Sequence, residues 1–171
     1  MANVYLSIGS NVNRSENIRS CIDSLAAIFG QLSLSPVYES TAVGFEGDNF
    51  YNLVVGVETN LRVGEISTIL KKIEDQHGRD RKAPKFGPRT LDIDIITVDN
   101  MVGEVDGIKL PRDELLKNAF VLLPMAVLIG DQIHPETGLS YQSHWERFDT
   151  VSYTHLRAHD TPEQRGWRLE L

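Results

Sequence analysis

The chain is organised around residues 85–96, which read KFGPRTLDIDII. Gly87 and Pro88 predict a tight turn, and an apolar run interrupted by two acids follows it. If this run forms a strand, successive side chains alternate between faces, so the apolar residues point one way and Asp92 and Asp94 point the other. The stretch therefore predicts a strand with one apolar face and one acidic face.

The two acids are the first candidates for chemistry. Carboxylates at positions i and i+2 of a strand lie roughly 6.5–7 Å apart on one face, a spacing at which they can hold one or two divalent cations. Asp is depleted in strands, and like charges on one face repel, so a bound cation that relieves the repulsion explains the pair. The pair alone leaves a second interpretation open, the solvated outer face of an edge strand.

Composition limits the class of protein. The 171 residues include 41% hydrophobic and 24% charged residues, which predicts one globular domain with a substantial core. The net charge of −7 argues against general binding to nucleic acid or to an anionic membrane. The single cysteine, Cys21, allows no internal disulfide and is interpreted as a small buried residue on a helix. With no secretory signal or membrane span expected, we predict a cytoplasmic protein.

Basic residues are concentrated just before the paired acids. Residues 71–89 hold seven basic residues against three acidic ones, a balance of +4 in an acidic chain. A cation cluster beside a carboxylate pair suits a small polyanion that carries Mg²⁺, such as a nucleoside triphosphate. The alternative is a solvated basic helix end and loop.

Hydrophobic periodicity predicts six elements in the order β α β β α β, followed by helices. This order matches an α+β, ferredoxin-like split βαβ plan, an antiparallel sheet with helices on one face. The predicted strands cover 4–8, 32–38, 50–59 and 90–98, with a short hairpin return over 99–105, and the predicted helices cover 15–29, 62–76, 112–117, 119–129 and 140–147.

At this point the residues show a family likeness. Residues 87–95, GPRTLDIDI, closely resemble the signature of the 6-hydroxymethyl-7,8-dihydropterin pyrophosphokinases of the folate pathway. The likeness covers about residues 3–148, and its parts occur in the family's order. The supporting parts are SIGSN at 7–11, YN at 51–52, IE at 73–74, GRDR at 78–81 and FVLLP at 120–124.

The resemblance implies an ATP-dependent diphosphotransferase that moves a pyrophosphoryl group from ATP to the hydroxymethyl oxygen of the pterin and releases AMP. It implies two Mg²⁺ ions, with Asp92 and Asp94 as the matching ligands. Fixed guanidinium groups and metal-bound carboxylates can stabilise the charge of such a transfer without covalent catalysis. The implied catalytic residues are Arg79, Arg81 and Arg89, and the implied ATP-binding residues are Glu74, Arg79, Arg81, Arg89 and Arg112.

The resemblance also implies a site for the flat pterin, which needs stacking surfaces and in-plane donors and acceptors. Its matching residues are Ser40, Ala42, Val43, Phe50, Asn52 and Phe120. Phe50 and Phe120 would stack, and Asn52 can offer both a donor and an acceptor. Without the resemblance, the same phenylalanines are read as core packing and Asn52 as a polar residue of a turn or bulge.

Three positions depart from the family pattern. Phe86 stands where Trp is common, Arg112 where the family usually has His, and Asn118 where it often has Arg. The last two positions are associated with the nucleotide phosphates, and Arg112 is expected to restore part of the charge that Asn118 lacks. A divergent paralogue, or a nucleotide-binding module with weak or no turnover, is therefore kept as an alternative. A metal-dependent nucleotidyltransferase fits less well, because its Gly-Ser motif and third carboxylate are not matched.

We expect one pyrophosphokinase domain over residues 1–150. Residues 151–171 form a tail of uncertain origin, which resembles translated sequencing-adaptor DNA and is expected to be disordered or non-native. The expected partners are the small molecules ATP and the hydroxymethyl-dihydropterin, with no nucleic acid and no membrane, and the expected oligomeric state is a monomer.

Overall fold

The computed structural model describes residues 1–40, 49–78 and 91–148, together with the backbone of 156–158. The first part of the chain alternates strands and helices. Its elements are β1 (Ala2–Ser10), α1 (Arg14–Phe29), β2 (Ser33–Leu34), β3 (Tyr38–Ser40), β4 (Phe50–Thr59), α2 (Val63–Gln76) and β5 (Asp92–Val98). The later elements are β6 (Gly103–Val105), β7 (Ile108–Leu110), α3 (Glu114–Lys117), α4 (Ala119–Ile129), α5 (Tyr141–Glu146) and β8 (Leu156–Ala158).

The main sheet is antiparallel and has the strand order β5-β1-β4-β3-β8, while β2 also pairs with β4. β1 and β4 form the centre, paired from Ala2 opposite Thr59 to Ser10 opposite Tyr51. β5 pairs with β1 on the other side. With β2 and β3 counted as one interrupted strand, this is the ferredoxin-like order that the sequence predicted.

Helices α1 and α2 pack on one face of the sheet. Their inward residues, including Ile18, Leu25, Ile66 and Ile73, join the inward residues of β1, β4 and β5 in the larger hydrophobic core. Cys21 is fully buried in this core, as predicted for a structural cysteine. Burying one stripe of each helix against a common sheet face is what stabilises both helices.

The opposite face carries the C-terminal helices. Val54 of β4 and Ile96 of β5 form a second core with Leu115, Leu122 and Tyr141 of α3, α4 and α5. The sheet is therefore covered on both faces, because the added helices lie on the face that the first two leave open. No helix in the part of the chain that the structure describes is long and apolar enough to cross a membrane.

Three predicted elements differ in detail. The strand predicted over 32–38 is split into β2 and β3 around Pro36, which lacks a backbone donor. Ser35 keeps the break attached to β4, since its backbone donates to the Val54 carbonyl and its Oγ accepts from the Val54 amide, both at 2.9 Å. The hairpin return pairs with β7 in a separate two-stranded sheet, and the last main strand begins at Asp92, two residues later than predicted.

Candidate active site

The register of three strands brings the main candidate residues into rows on one face of the sheet. Gly9 of β1 lies opposite Asn52 of β4 on one side and opposite Asp92 of β5 on the other. Because neighbouring strands are about 4.8 Å apart, Asp92 and Asn52 lie about 10 Å apart across Gly9. We call the Asp92–Asp94 side the carboxylate end of this row and the Asn52–Ser40 side the amide end.

The carboxylate end has the alternation predicted from sequence. Ile93 and Ile95 are buried in the core with α1 and α2, whereas Asp92 and Asp94 are half-buried on the other face. Burial, followed by the negative charge of Asp92, raises the pKa of Asp94 to about 7. The fold thus places two carboxylates close together on one face, and carboxylate oxygens are the donors that Mg²⁺ prefers.

Arg112 lies beside this carboxylate pair. Its guanidinium lies 3.6 Å from Asp94 Oδ1 and 3.0 Å from Glu114 Oε2. Its backbone N–H donates to the Ile96 carbonyl at 2.8 Å, which fixes the residue beside β5. The sequence identified Arg112 as a departure from the family pattern, and the structure brings it to the carboxylate end. Its ion pair with Asp94 could not be inferred from local sequence, because 18 positions separate the two.

Glu74 also reaches the carboxylate end, from the last turn of α2. Its Oε2 accepts a hydrogen bond from the Ile93 backbone N–H at 2.8 Å, and the residue is only 5% exposed. The acceptor is thus aimed at the peptide that lies between the two aspartates. The resemblance implied an ATP-binding role for Glu74, which stays a prediction, while this contact to β5 was not foreseen.

At the amide end, Asn52 is 5% exposed and its Nδ2 donates to Ser40 Oγ at 2.7 Å. Gly9 gives this amide room, because a Cβ there would lie 3.2 Å from Asn52 Oδ1 and 3.9 Å from the Phe50 ring. Phe50 is half-buried beside them. The structure therefore brings Ser40, Phe50 and Asn52 together, with Gly9 as a contributor that sequence reasoning placed only in a motif.

Phe120 lies on α4 and is half-buried. It packs within an aromatic group that includes Tyr38, Trp145 and Phe148. The Trp145 and Phe148 rings are stacked with centroids 5.7 Å apart. These contacts agree with the packing interpretation of Phe120, and its partial exposure leaves the predicted stacking role open.

Arg14 is a feature that sequence reasoning missed. It donates to Glu39 Oε2 at 3.2 Å and to the Asn49 carbonyl at 2.6 Å, and its guanidinium lies 4.0 Å from the centroid of the Tyr51 ring. It thus links the start of α1 to the end of β3 and the start of β4. A basic residue at a helix start gave no local signal for a contact 25 to 37 positions away.

Five predicted residues lie outside the described residues. They are Arg79, Arg81 and Arg89 of the basic segment, and Ala42 and Val43 of the segment between β3 and β4. Their predicted roles in binding ATP, in catalysis and in binding the pterin stay predictions.

Comparison with known proteins identifies the family. Residues 5–130 match the family described as 7,8-dihydro-6-hydroxymethylpterin-pyrophosphokinase. The chain is 38% identical over 137 residues to the 2-amino-4-hydroxy-6-hydroxymethyldihydropteridine pyrophosphokinase of Aquifex aeolicus, a match that covers 79% of this chain and 85% of that protein. It is 36% identical over 148 residues to the folic acid synthesis protein fol1 of Pneumocystis carinii, covering 84% of this chain.

The chain spans only 20% of the length of the Pneumocystis protein. A solved structure with the same fold is wild-type Plasmodium falciparum HPPK-DHPS with pterin and p-hydroxybenzoate, at a TM-score of 0.71 and 13% identity. That match covers 92% of this chain and 46% of the Plasmodium chain. The family and fold predicted from the sequence are thereby confirmed. The chain belongs to the 7,8-dihydro-6-hydroxymethylpterin-pyrophosphokinase family.

Proposed function

We propose that this chain transfers the β,γ-pyrophosphoryl group of ATP to 6-hydroxymethyl-7,8-dihydropterin and releases AMP. The observation that carries the proposal is the row Asp92–Gly9–Asn52, in which a carboxylate, with Asp94 beside it, and a buried amide lie about 10 Å apart on one sheet face. That separation suits a pterin bound at one end and a triphosphate bound at the other. The family assignment supports the same substrates.

We propose Asp92 and Asp94 as the ligands of two Mg²⁺ ions. The fit rests on the donor chemistry: two half-buried carboxylates lie on one strand face, the pKa of Asp94 is raised, and Arg112 pairs with Asp94 while also contacting Glu114. Bound Mg²⁺ would neutralise charge on the phosphate oxygens and orient the triphosphate.

The cationic residues are assigned to the triphosphate. Arg79, Arg81 and Arg89 are proposed to contact the transferred group and act in catalysis, and Arg112 and Glu74 complete the ATP site. Arg112 already lies at the carboxylate end through Asp94, so its guanidinium can also donate to a phosphate oxygen. Guanidinium groups held in place before the reaction stabilise charge as it develops.

The pterin is assigned to the amide end. Asn52 and Ser40 would meet its amide-like edge, with backbone groups of Ala42 and Val43, while Phe50 and Phe120 would stack on its ring. The hydroxymethyl oxygen attacks the β-phosphorus, the bond from that phosphorus to the oxygen bridging to the α-phosphate breaks, and AMP leaves with that oxygen. The hydroxyl proton is lost in the same overall reaction.

A second candidate function is a nucleotide-binding module with weak or no turnover. Asn118 in place of Arg favours it, because one positive charge is missing near the predicted phosphates. The deciding experiment measures AMP formed from ATP and Mg²⁺ with and without the pterin. Pterin-dependent AMP is expected; ATP binding without such AMP would support the module and contradict the enzyme.

Two further expectations belong with this proposal. A monomer agrees with a single set of candidate residues on one chain, and size-exclusion chromatography with light scattering would test it. A cytoplasmic location agrees with the single buried cysteine.

A further inference from the structure

The buried Glu74 carboxylate has a contact that the proposed reaction does not use. It lies in the last turn of α2, whose carbonyl end is an unfavourable place for a negative charge. It also lies close enough to Asp94 to add to the rise in the pKa of that residue, after the larger effects of burial and Asp92. Helix stability therefore does not explain why a third acidic residue lies at this position.

The geometry of β5 gives that reason. β5 is the outermost strand on its side of the described sheet, paired only with β1 there. In an antiparallel pair, successive backbone N–H groups alternate between the partner strand and the open edge. Since the Ile93 N–H donates to Glu74, it points to the open edge, and the amides of Asp92 and Asp94 point toward β1.

Glu74 thus holds the Asp92–Ile93 peptide, which lies between the two acidic side chains. A shift of the Ile93 peptide would move the Cα atoms on both sides of it and change the separation of the two carboxylates. The hydrogen bond has a charged acceptor and is buried, which makes it stronger than an exposed neutral one.

We propose that Glu74 is a positioning residue for the cation site: by binding the Ile93 N–H it sets the spacing of Asp92 and Asp94. This inference rests on the proposed function in assigning the pair to divalent cations. It differs from the implied ATP-binding role, because it predicts an effect on cation affinity before any nucleotide is bound.

Two conservative variants separate the effect of the length of the Glu74 side chain from the effect of its charge. Glu74→Asp keeps the charge but shortens the side chain by one methylene, so it cannot reach Ile93 without a backbone shift. Glu74→Gln keeps the length and an acceptor oxygen but loses the charge. Mn²⁺ serves as the probe, titrated by electron paramagnetic resonance into the full chain, first alone and then with α,β-methylene-ATP.

We expect Glu74→Asp to weaken Mn²⁺ binding by about 10- to 100-fold, the usual effect of removing a group that orients metal ligands. Glu74→Gln should weaken it only a few-fold. Amide hydrogen exchange at Ile93 should be slow in the unmodified chain and in Glu74→Gln, and faster in Glu74→Asp. The matched control pair, Glu58→Asp and Glu58→Gln on an exposed position of β4, should leave all of these values unchanged.

The proposal is overturned if Glu74→Asp binds Mn²⁺ like the unmodified chain, or if Glu74→Gln binds it more weakly than Glu74→Asp. An unmodified chain that binds no Mn²⁺ under either condition also overturns it. An unmodified chain that binds Mn²⁺ but forms no pterin-dependent AMP contradicts the proposed function instead, and the order of the two Glu74 variants still decides the positioning role.

Discussion

The two ends of the row across Gly9 differ in the partners that the fold gives to their polar side chains. At the amide end, Asn52 is buried and already donates to Ser40. At the carboxylate end, Asp92 and Asp94 place two acidic side chains on one face, and Arg112 pairs with Asp94. The amide end is thus organised in advance, which favours recognition of a shaped ligand, while the carboxylate end is the proposed cation site. Changes at the two ends should therefore affect different measured quantities.

The largest effect is expected from Asp92→Asn or Asp94→Asn. Each removes a charged ligand from the proposed cation site, so turnover should fall by several orders of magnitude. The melting temperature without metal should not fall, because one of two repelling charges is gone. Steady-state AMP formation and thermal melting provide the measurements, with exposed Asp131→Asn as the control. Near-normal turnover in either variant would mean that the pair is only a solvated strand face.

Next is Asn52→Ala, which tests the amide end. It removes a buried donor and acceptor and leaves the Ser40 hydroxyl without this partner. Loss of such a buried hydrogen-bonding group costs ~1–3 kcal/mol, so the KM for the pterin should rise by about 10-fold or more. The KM for MgATP should change little. Comparison with Ser40→Ala and the double variant would show whether the two act as a unit. An equal rise in both KM values would contradict the separation of the two ends.

Arg112→Gln tests the carboxylate end by its effect on the affinity for cations and for ATP. It removes a cation that pairs with Asp94, so Mn²⁺ should bind a few-fold more tightly to the nucleotide-free chain. Affinity for ATP should decrease, because a proposed phosphate contact is lost. Calorimetric titration measures both quantities. Weaker Mn²⁺ binding in this variant would show that Arg112 supports the cation site and does not compete with it.

A smaller effect is expected from Arg14→Ala, which breaks contacts to Glu39, Asn49 and Tyr51. Loss of the half-buried ion pair and the ring contact should lower the free energy of unfolding by about 1–2 kcal/mol. The KM for the pterin should rise more than that for MgATP, because β3 and β4 carry the amide end. Exposed Arg147→Ala is the control, and urea unfolding with steady-state kinetics measures both effects. An unchanged pterin KM would limit Arg14 to stability.

The smallest effect concerns His134, away from both ends. Burial, and then the nearby His144, lower the pKa of His134, whose Nδ1 accepts from the Glu136 and Thr137 amides. The unfolded chain binds the proton more readily than the folded chain. The contribution of His134 to the free energy of unfolding should therefore be fully present above about pH 6.5 and decrease as the pH falls toward the lower folded pKa. His134→Asn should flatten this dependence in thermal melts from pH 5 to 8. An unchanged slope would assign the pH dependence to other groups.

Local sequence was sufficient for much of the fold. The alternation around Asp92 and Asp94 is a pattern within one element, and so are the helical periods of α1 and α2. For the same reason β4 and α4 were predicted with the bounds that the structure shows. The split of the second strand was less predictable. Pro36 signalled an irregularity, but the role of Ser35 depends on Val54 of β4, which lies 19 positions later.

The sequence by itself determined the family, the order of elements and the acidic face of β5, because these follow from neighbouring residues and a specific motif. Only the tertiary structure decided that Glu74 holds Ile93, that Arg112 pairs with Asp94 and that Gly9 separates Asn52 from Asp92. The physical reason is that strand register and helix packing bring together residues distant in the chain, and no local pattern specifies such contacts. Residues 85–96 thus contain the candidate cation ligands, while Glu74, which is proposed to position them, comes from α2, and Arg112, which pairs with Asp94, comes from the segment after β7.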